Sequence, residues 1–382
     1  MRTSLLNVIL SVTSILVAVA IAEVALWSLD FSYPVFLQAD TTMGHSHRPN
    51  AEGWYRDEGQ AFIKINSHGF RDRERSLEKP AHTVRIAVLG DSYAEALQID
   101  LNHTFWTVLE GALNRCKPFG PDRVEVLNFG VSGYSTAQEL ILLRSGVWAY
   151  SPDIVLLAFL SGNDVRDNSA KLADGYPRPY FNAHLELDSS FQQRTIFRIK
   201  SSGAWALMVG LSDYSRVAQL FSMVKHRWGQ RSRATPARDV EQDIGLHDHV
   251  YLTSEVGDWK EAWTITERLI VQINEDVLAK GAKLLLVALS NAIQVHPHVE
   301  IRERFARQLG VPDLFYPERR IQALALRHGI PHVVLAPELQ KIAEQSNMFL
   351  HGFKNTRMGV GHWNADGHRH AGEIIARRFC SG

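Results

Sequence analysis

The sequence predicts an α/β protein built on a doubly wound, five-stranded parallel sheet. Two observations carry this. Short apolar runs rich in Val, Ile and Leu recur at Val84–Leu89, Val124–Phe129, Asp153–Leu160, Lys283–Leu289 and His332–Leu335. They alternate with stretches of helical spacing, the pattern of strands joined by crossover helices. A third observation says where to look for chemistry: the first three runs end in small or polar residues, Gly90-Asp91-Ser92, Gly130-Val131-Ser132-Gly133 and Ser161-Gly162-Asn163-Asp164. In open α/β sheets ligands bind in the crevice outside the carboxyl ends of the strands.

Taken in order, the chain begins with residues 1–27, read as a membrane anchor or signal peptide. Leu5 to Ala22 is apolar apart from Asn7, Ser11, Thr13 and Ser14, and with Val24 to Trp27 it reaches about the 20 residues a bilayer requires. Arg2 precedes it and no Lys or Arg follows until Arg48, so the expected topology leaves the N-terminus cytoplasmic and the remainder periplasmic or extracellular. An uncleaved transmembrane helix is favoured because the run exceeds a usual signal-peptide core of about 7–15 residues. Cleavage stays open, since Ala18-Val19-Ala20 and Ala20-Ile21-Ala22 offer small residues at the required spacing.

Residues 28–79 are polar and irregular, with a short alternating piece at Phe62–Asn66, and read as a stalk and docking segment. Residues 80–382 form the main domain. After the Ser92 turn a helix is expected over Thr104–Arg115, with Phe105, Val108, Leu109 and Leu113 on one face, and another over Ala137–Trp148. Residues 165–257 break the rhythm and read as an insertion after strand three. It holds a hairpin near Tyr176–Asp188, then mixed amphipathic and basic sequence, placed where it could cover a site. Helices follow at Trp259–Ala279 and Pro317–His328. The last starts at Asn364, a suitable N-cap, with Asp366 in its first turn, and runs to Phe379.

Composition excludes several classes. With 382 residues and 45% hydrophobic content a large core is available, and with Lys plus Arg and Asp plus Glu both at 41 no long-range field favours nucleic acid. His45/His47, His296/His298 and His368/His370 are paired one residue apart, but none has a third ligand at zinc spacing, so no metal and no cofactor is expected.

Ser92 is the candidate nucleophile, delivered by a buried strand into a tight turn that opens a helix. Its segment is one of four blocks, in order GDSY (Gly90–Tyr93), NFGVSG (Asn128–Gly133), SGND (Ser161–Asp164) and HWNADGH (His362–His368). With these blocks the chain resembles the SGNH (GDSL-type) hydrolases, and specifically their membrane-anchored bacterial type, which carries a segment like INSHGFRD (Ile65–Asp72) ahead of the serine block. The resemblance implies a flavodoxin-like sheet of order 2-1-3-4-5. It implies Ser92 as nucleophile, His362 rather than His368 as base, and an oxyanion hole from Ser92, Gly133 and Asn163. Acyl transfer needs just such a set: a nucleophile, a base within reach, and donors aimed at the developing oxyanion. A glycine at 133 would let the backbone approach the reacting carbonyl closely.

The chain departs from the family at one point. The aspartate usual two or three residues before the histidine is replaced by Val360 and Gly359. Asp366 and Asp164 are the nearby alternatives, but Asp366 reads as a first-turn helix acid and Asp164 as structural. The expectation is therefore a Ser92–His362 dyad, its imidazole oriented by a backbone carbonyl or water.

The function expected is a serine ester hydrolase of the cell envelope acting on acylated glycan, lipid or small esters. The alternatives are an O-acyltransferase to envelope polysaccharide and a non-catalytic scaffold of the same fold. The two cysteines, Cys116 and Cys380, follow the first helix and end the last. In the sheet order that the resemblance implies, both fall at the edge distant from the site, where either a disulfide or two unpaired thiols is compatible with the sequence.

Overall fold

The computed structural model describes residues 2–173, 175–233, 248–253 and 257–380. Helix α1 (Arg2–Ser28) is followed by two antiparallel hairpins, β1 (Leu37–Asp40) with β2 (Gly44–His47) and β3 (Glu52–Tyr55) with β4 (Ala61–Lys64). The expected alternating piece at Phe62–Asn66 is the second arm of the latter. Ala61, Ile63 and Ile65 are fully buried and form a small core of their own with Phe36 and with Leu97 of the main domain.

The main sheet opens with β5 (Thr83–Gly90), a one-turn helix α2 (Ser92–Glu95), α3 (Phe105–Cys116), β6 (Arg123–Asn128), α4 (Thr136–Ser145), β7 (Ile154–Phe159) and α5 (Ser161–Asp167). In the insertion a two-residue pair, β8 (Tyr180–Phe181) and β9 (Leu187–Asp188), forms the expected hairpin, and α6 (Thr195–Lys200), α7 (Gly203–Ser212) and α8 (Arg216–Arg233) follow. Residues 174, 234–247 and 254–256 of the insertion lie outside the described residues. The alternation resumes with α9 (Gly257–Ala279), β10 (Lys283–Ala288), α10 (Val299–Leu309), α11 (Tyr316–Arg327), β11 (His332–Val334), α12 (Ala336–Ser346) and α13 (Ala365–Cys380). Asn364 caps α13, its Oδ1 accepting from the backbone NH of Asp366 at 3.0 Å and of Gly367 at 3.1 Å.

The five central strands are parallel and lie in the order β11-β10-β7-β5-β6, which is 5-4-3-1-2 among themselves, the doubly wound arrangement expected. Their residues alternate between two cores because successive side chains of a strand point to opposite faces. Ala87, Leu89, Val155 and Leu157 pack on one face against α4, α9 and α11. Ile86, Val88, Val124 and Leu156 pack on the other against α3, α12 and α13. Helices α3 and α13 therefore run side by side, and a disulfide joins Cys116 to Cys380 with their Cα atoms 5.9 Å apart.

SGND, directly after β7, opens α5, and α10 and α12 are short amphipathic helices that the sequence reading left within connections.

Candidate active site

The register brings the first three strand ends to one edge: Val88 of β5 pairs with Asn128 of β6, and Gly90 with Ala158 of β7. Gly90 is required there, since a Cβ would lie 2.8 Å from the Ala94 Cβ and 3.2 Å from that of Ala158. The chain then turns through Asp91, whose carboxylate caps α2 by accepting from the Tyr93 NH at 2.8 Å, and Ser92 becomes its first helical residue.

Ser92 and His362 meet. Ser92 Oγ lies 2.8 Å from His362 Nε2, inside the reach that a general base needs. The other ring nitrogen, Nδ1, lies 2.5 Å from Glu58 Oε2, and the His362 backbone NH donates to Glu58 Oε1 at 2.8 Å. The expected dyad is thus corrected to a three-residue array whose carboxylate comes from the loop between β3 and β4. Neither nearby aspartate takes that place: Asp366 pairs with Arg369 at 3.1 Å, and buried Asp164 accepts from the Leu160 NH at 2.8 Å.

Glu58 was missed because 304 residues separate it from His362, and nothing local marks an acid as facing a distant histidine. One signal was present in Gly361. Its φ of +84° favours glycine, and a Cβ there would sit 2.2 Å from Glu58 Oε1, so the bare backbone is what admits the carboxylate. Asn355 holds the Glu58 loop, accepting from the Gly59 NH at 3.0 Å and donating to the carbonyls of Gly59 at 2.8 Å and Arg56 at 3.2 Å. From behind, the Tyr93 hydroxyl donates to the Gly361 carbonyl at 3.2 Å while its ring packs 5.1 Å from that of His362.

Electrostatics follow from this pairing. Burial opposes a charge on His362, but the Glu58 carboxylate and, further off, Asp91 outweigh it and raise the imidazole pKa. Burial likewise acts against ionised Glu58, yet its bonds to His362 hold it below the usual carboxylate range. His368 is the opposite case. It is buried among Phe105 and Trp363, its Nδ1 accepts from the Phe105 NH at 3.2 Å, and desolvation, with Arg71 nearby, drives its pKa well below that of a free imidazole.

Asn163 reaches the same turn, its Nδ2 donating to Asp91 Oδ2 at 2.7 Å. This bond sets the amide orientation and leaves the second N–H of Nδ2 for another acceptor. Gly133 lies on the loop after β6 with φ +76°. That loop is tied to the serine turn by Val131 NH to Gly90 O at 3.2 Å and by a short hydrogen bond from the Ser132 hydroxyl to Glu95. Glu95 also takes His47 Nε2 at 2.5 Å; burial opposes its ionisation, but these two partners keep it below the usual carboxylate range. His45 Nε2 lies 2.8 Å from the Ser132 carbonyl, and an apolar-walled cavity of about 140 Å3 beyond His45 is lined by Leu37, Tyr176, Phe197 and Trp205.

The INSHGFRD segment braces this assembly. Fully buried Arg71 donates to the carbonyls of Glu95, Ala96 and Ile99, where Ala96 ends α2 in a left-handed conformation. Asn128 Nδ2 donates to the Arg71 carbonyl at 3.1 Å and its NH to Asp72 at 3.1 Å, joining the second strand end to the first. Among the described residues no cluster of three or more His, Cys, Asp or Glu could hold a metal ion.

No protein-family model and no curated protein matches the chain. Among solved structures, it is similar to an acetyl xylan esterase, AlAXEase, at 13% identity over 76% of this chain and 98% of that one, with a TM-score of 0.39. It is also similar to a catalytic mutant of Axe2, an acetylxylan esterase from Geobacillus stearothermophilus, at 12% identity over 78% and 94%, TM-score 0.39. A putative lipolytic protein of the G-D-S-L family from Desulfitobacterium hafniense DCB-2 gives 11% over 77% and 99%, TM-score 0.36. Likenesses this distant bear neither on the reaction nor on individual residues. Fold and geometry define a serine-histidine-carboxylate array at the carboxyl edge of a doubly wound sheet.

Proposed function

We propose that the protein is a serine ester hydrolase that works through an acyl-serine intermediate. The observation that carries this reading is the continuous chain Ser92 Oγ, His362, Glu58. With Nδ1–H donated to Glu58, Nε2 is left as the lone-pair nitrogen facing the hydroxyl. His362 takes the Ser92 proton as Oγ attacks an ester carbonyl, and Glu58 stabilises the imidazolium that forms. The Ser92 and Gly133 NH groups and the free N–H of Asn163 are the proposed oxyanion donors. The imidazolium gives its proton to the departing alkoxide; water, activated by the same nitrogen, then releases the acid and restores Ser92.

The scaffold alternative rested on the absent carboxylate, and the Glu58 contact removes that support. An acyltransferase shares the first half-reaction and differs only in the acceptor. The anchor helix and the disulfide support placing the domain outside the cytoplasm, where disulfides persist, with acylated envelope glycan or lipid esters as substrates. The test is intact-mass detection of an acetyl adduct on the full chain after mixing with 4-nitrophenyl acetate, with and without a sugar acceptor. Wild type should acquire the adduct and Ser92→Ala should not; turnover persisting in Ser92→Ala would overturn the proposal.

A further inference from the structure

Helix α1 is apolar from Leu5 to Ala22, and no residue of this stretch is buried against the rest of the chain. At roughly 1.5 Å per residue, Leu5 to Ala22 covers about 27 Å, close to the hydrocarbon thickness of a bilayer, so Glu23 falls at the boundary. Glu23, half-buried, is bonded to the insertion. It accepts from the Val217 NH at 3.0 Å and the Ser215 hydroxyl at 3.2 Å, and from the Arg216 NH, while the Arg216 guanidinium stacks 4.3 Å over the Trp27 ring. The end of α1 is thereby fastened to the start of α8, and the 215–217 stretch is held at headgroup depth.

What lies beside that fastening is apolar and exposed. Leu211 is 62% exposed only four residues before Ser215, and Leu207 (65%) and Met208 (51%) continue the face along α7; Ile196 and Ile199 of α6 and Phe221 of α8 are also exposed. An apolar helix of this length is too short to span and suits an interfacial position. Charge agrees: from Arg194 to Arg233 the sequence holds eight Arg and Lys against one acid, Asp213, which is itself paired with Arg48. Apolar side chains among cationic ones at the mouth of a spanning helix match the acyl-headgroup boundary of an anionic leaflet.

We infer that α6, α7 and the start of α8 form a second membrane contact, lying in the interface of the leaflet that α1 exits. The inference rests on the reading of α1 as an uncleaved anchor and extends it from a tether to a fixed orientation. The insertion is in turn bonded to the β1–β2 hairpin, Gln192 Nε2 donating to the Thr41 carbonyl at 2.7 Å, and the inward side of α6 and α7 gives Phe197 and Trp205 to the cavity beyond His45. The bilayer thus holds the loop side of the Ser92 site at a set height above the lipid.

The test uses the full chain in vesicles of equal parts phosphatidylcholine and phosphatidylglycerol, with the fluorophore NBD placed singly at Leu16→Cys, Met208→Cys, Leu211→Cys or Leu326→Cys. Brominated acyl chains should quench the Leu16 probe strongly, the 208 and 211 probes at least half as strongly, and the exposed α11 probe at 326 not at all. Leu207→Glu with Leu211→Glu should abolish quenching at 208 while leaving Ser92 acylation and the melting temperature unchanged. A quenched Leu16 probe with 208 and 211 as unquenched as 326 overturns this inference alone. So does protection of 208 that appears only as protein density rises, which would put a second copy on the face. An unquenched Leu16 probe overturns the anchor reading and this inference together.

Discussion

Replacing Glu58 by Gln tests the least expected part of the site. The carboxylate offers an acceptor to each of two donors of one residue, the His362 Nδ1–H at 2.5 Å and the His362 backbone NH at 2.8 Å. A carboxamide has one acceptor oxygen. If that oxygen stays on the backbone NH, the amide NH2 faces Nδ1 and selects the tautomer with the proton on Nε2, which cannot receive the Ser92 proton. If it turns to Nδ1, the NH2 opposes the backbone NH and the loop loses its register. Either way the expected loss in kcat is on the order of 10⁴-fold, about 5.5 kcal/mol, as when the acid of a serine triad becomes an amide, with KM little changed. The pH profile separates this from a merely structural effect. Because Glu58 raises the His362 pKa, neutral base in the wild type accumulates only as pH rises through that raised value. Without the anion the imidazolium loses its partner, the pKa falls, and the acid limb of kcat/KM moves to lower pH while the plateau drops. The assay is initial rates with 4-nitrophenyl acetate across the acid and neutral range, with a melt to check folding. A loss under tenfold, or an acid limb that stays in place, would refute the triad reading.

Further outcomes follow from the same geometry. Gly361→Ala places a Cβ 2.2 Å from Glu58 Oε1 at a φ of +84°; activity should fall about as far as in Glu58→Ala while near-UV circular dichroism keeps its native form. Asn163→Ala should cost roughly 10²–10³ in kcat, the effect of one oxyanion donor, with the acylation rate slowed and KM held, as stopped-flow bursts would show. Cys116→Ser with Cys380→Ser opens a link across a sequence separation of 264 residues; chain entropy sets a ceiling of about 5.6 kcal/mol on the lost stability, and urea unfolding should show a loss of at least about 2 kcal/mol. Esterase rates in the folded double variant should stay within twofold, because the bridge ends α3 and α13 away from the strand ends that carry Ser92.

What the sequence determined by itself is what local rules govern. Strand and helix alternate with periods set by backbone geometry, so β5, β6, β7, β10 and β11 were legible in apolar runs, and Asn364 was legible as a cap. Ser92 was legible as a candidate at the end of a buried strand, and His362 only through the resemblance that the four blocks carry. The tertiary structure alone decided which distant groups meet. Glu58 reaches His362 only because the β3–β4 hairpin buries Ala61 and Ile63 on the main domain and Gly361 leaves room for its carboxylate. Burial of a hairpin's apolar side carries no address, so residues 28–79 read as a stalk and docking segment without the place where it docks. In the same way the two cysteines left pairing open until α3 and α13 were seen side by side, and the attachment of the insertion to α1 became visible only once Glu23 was found accepting from the first NH groups of α8. Periodicity and turn chemistry act over a few residues; the contact between a carboxylate and an imidazole 304 positions away exists only after the chain has closed.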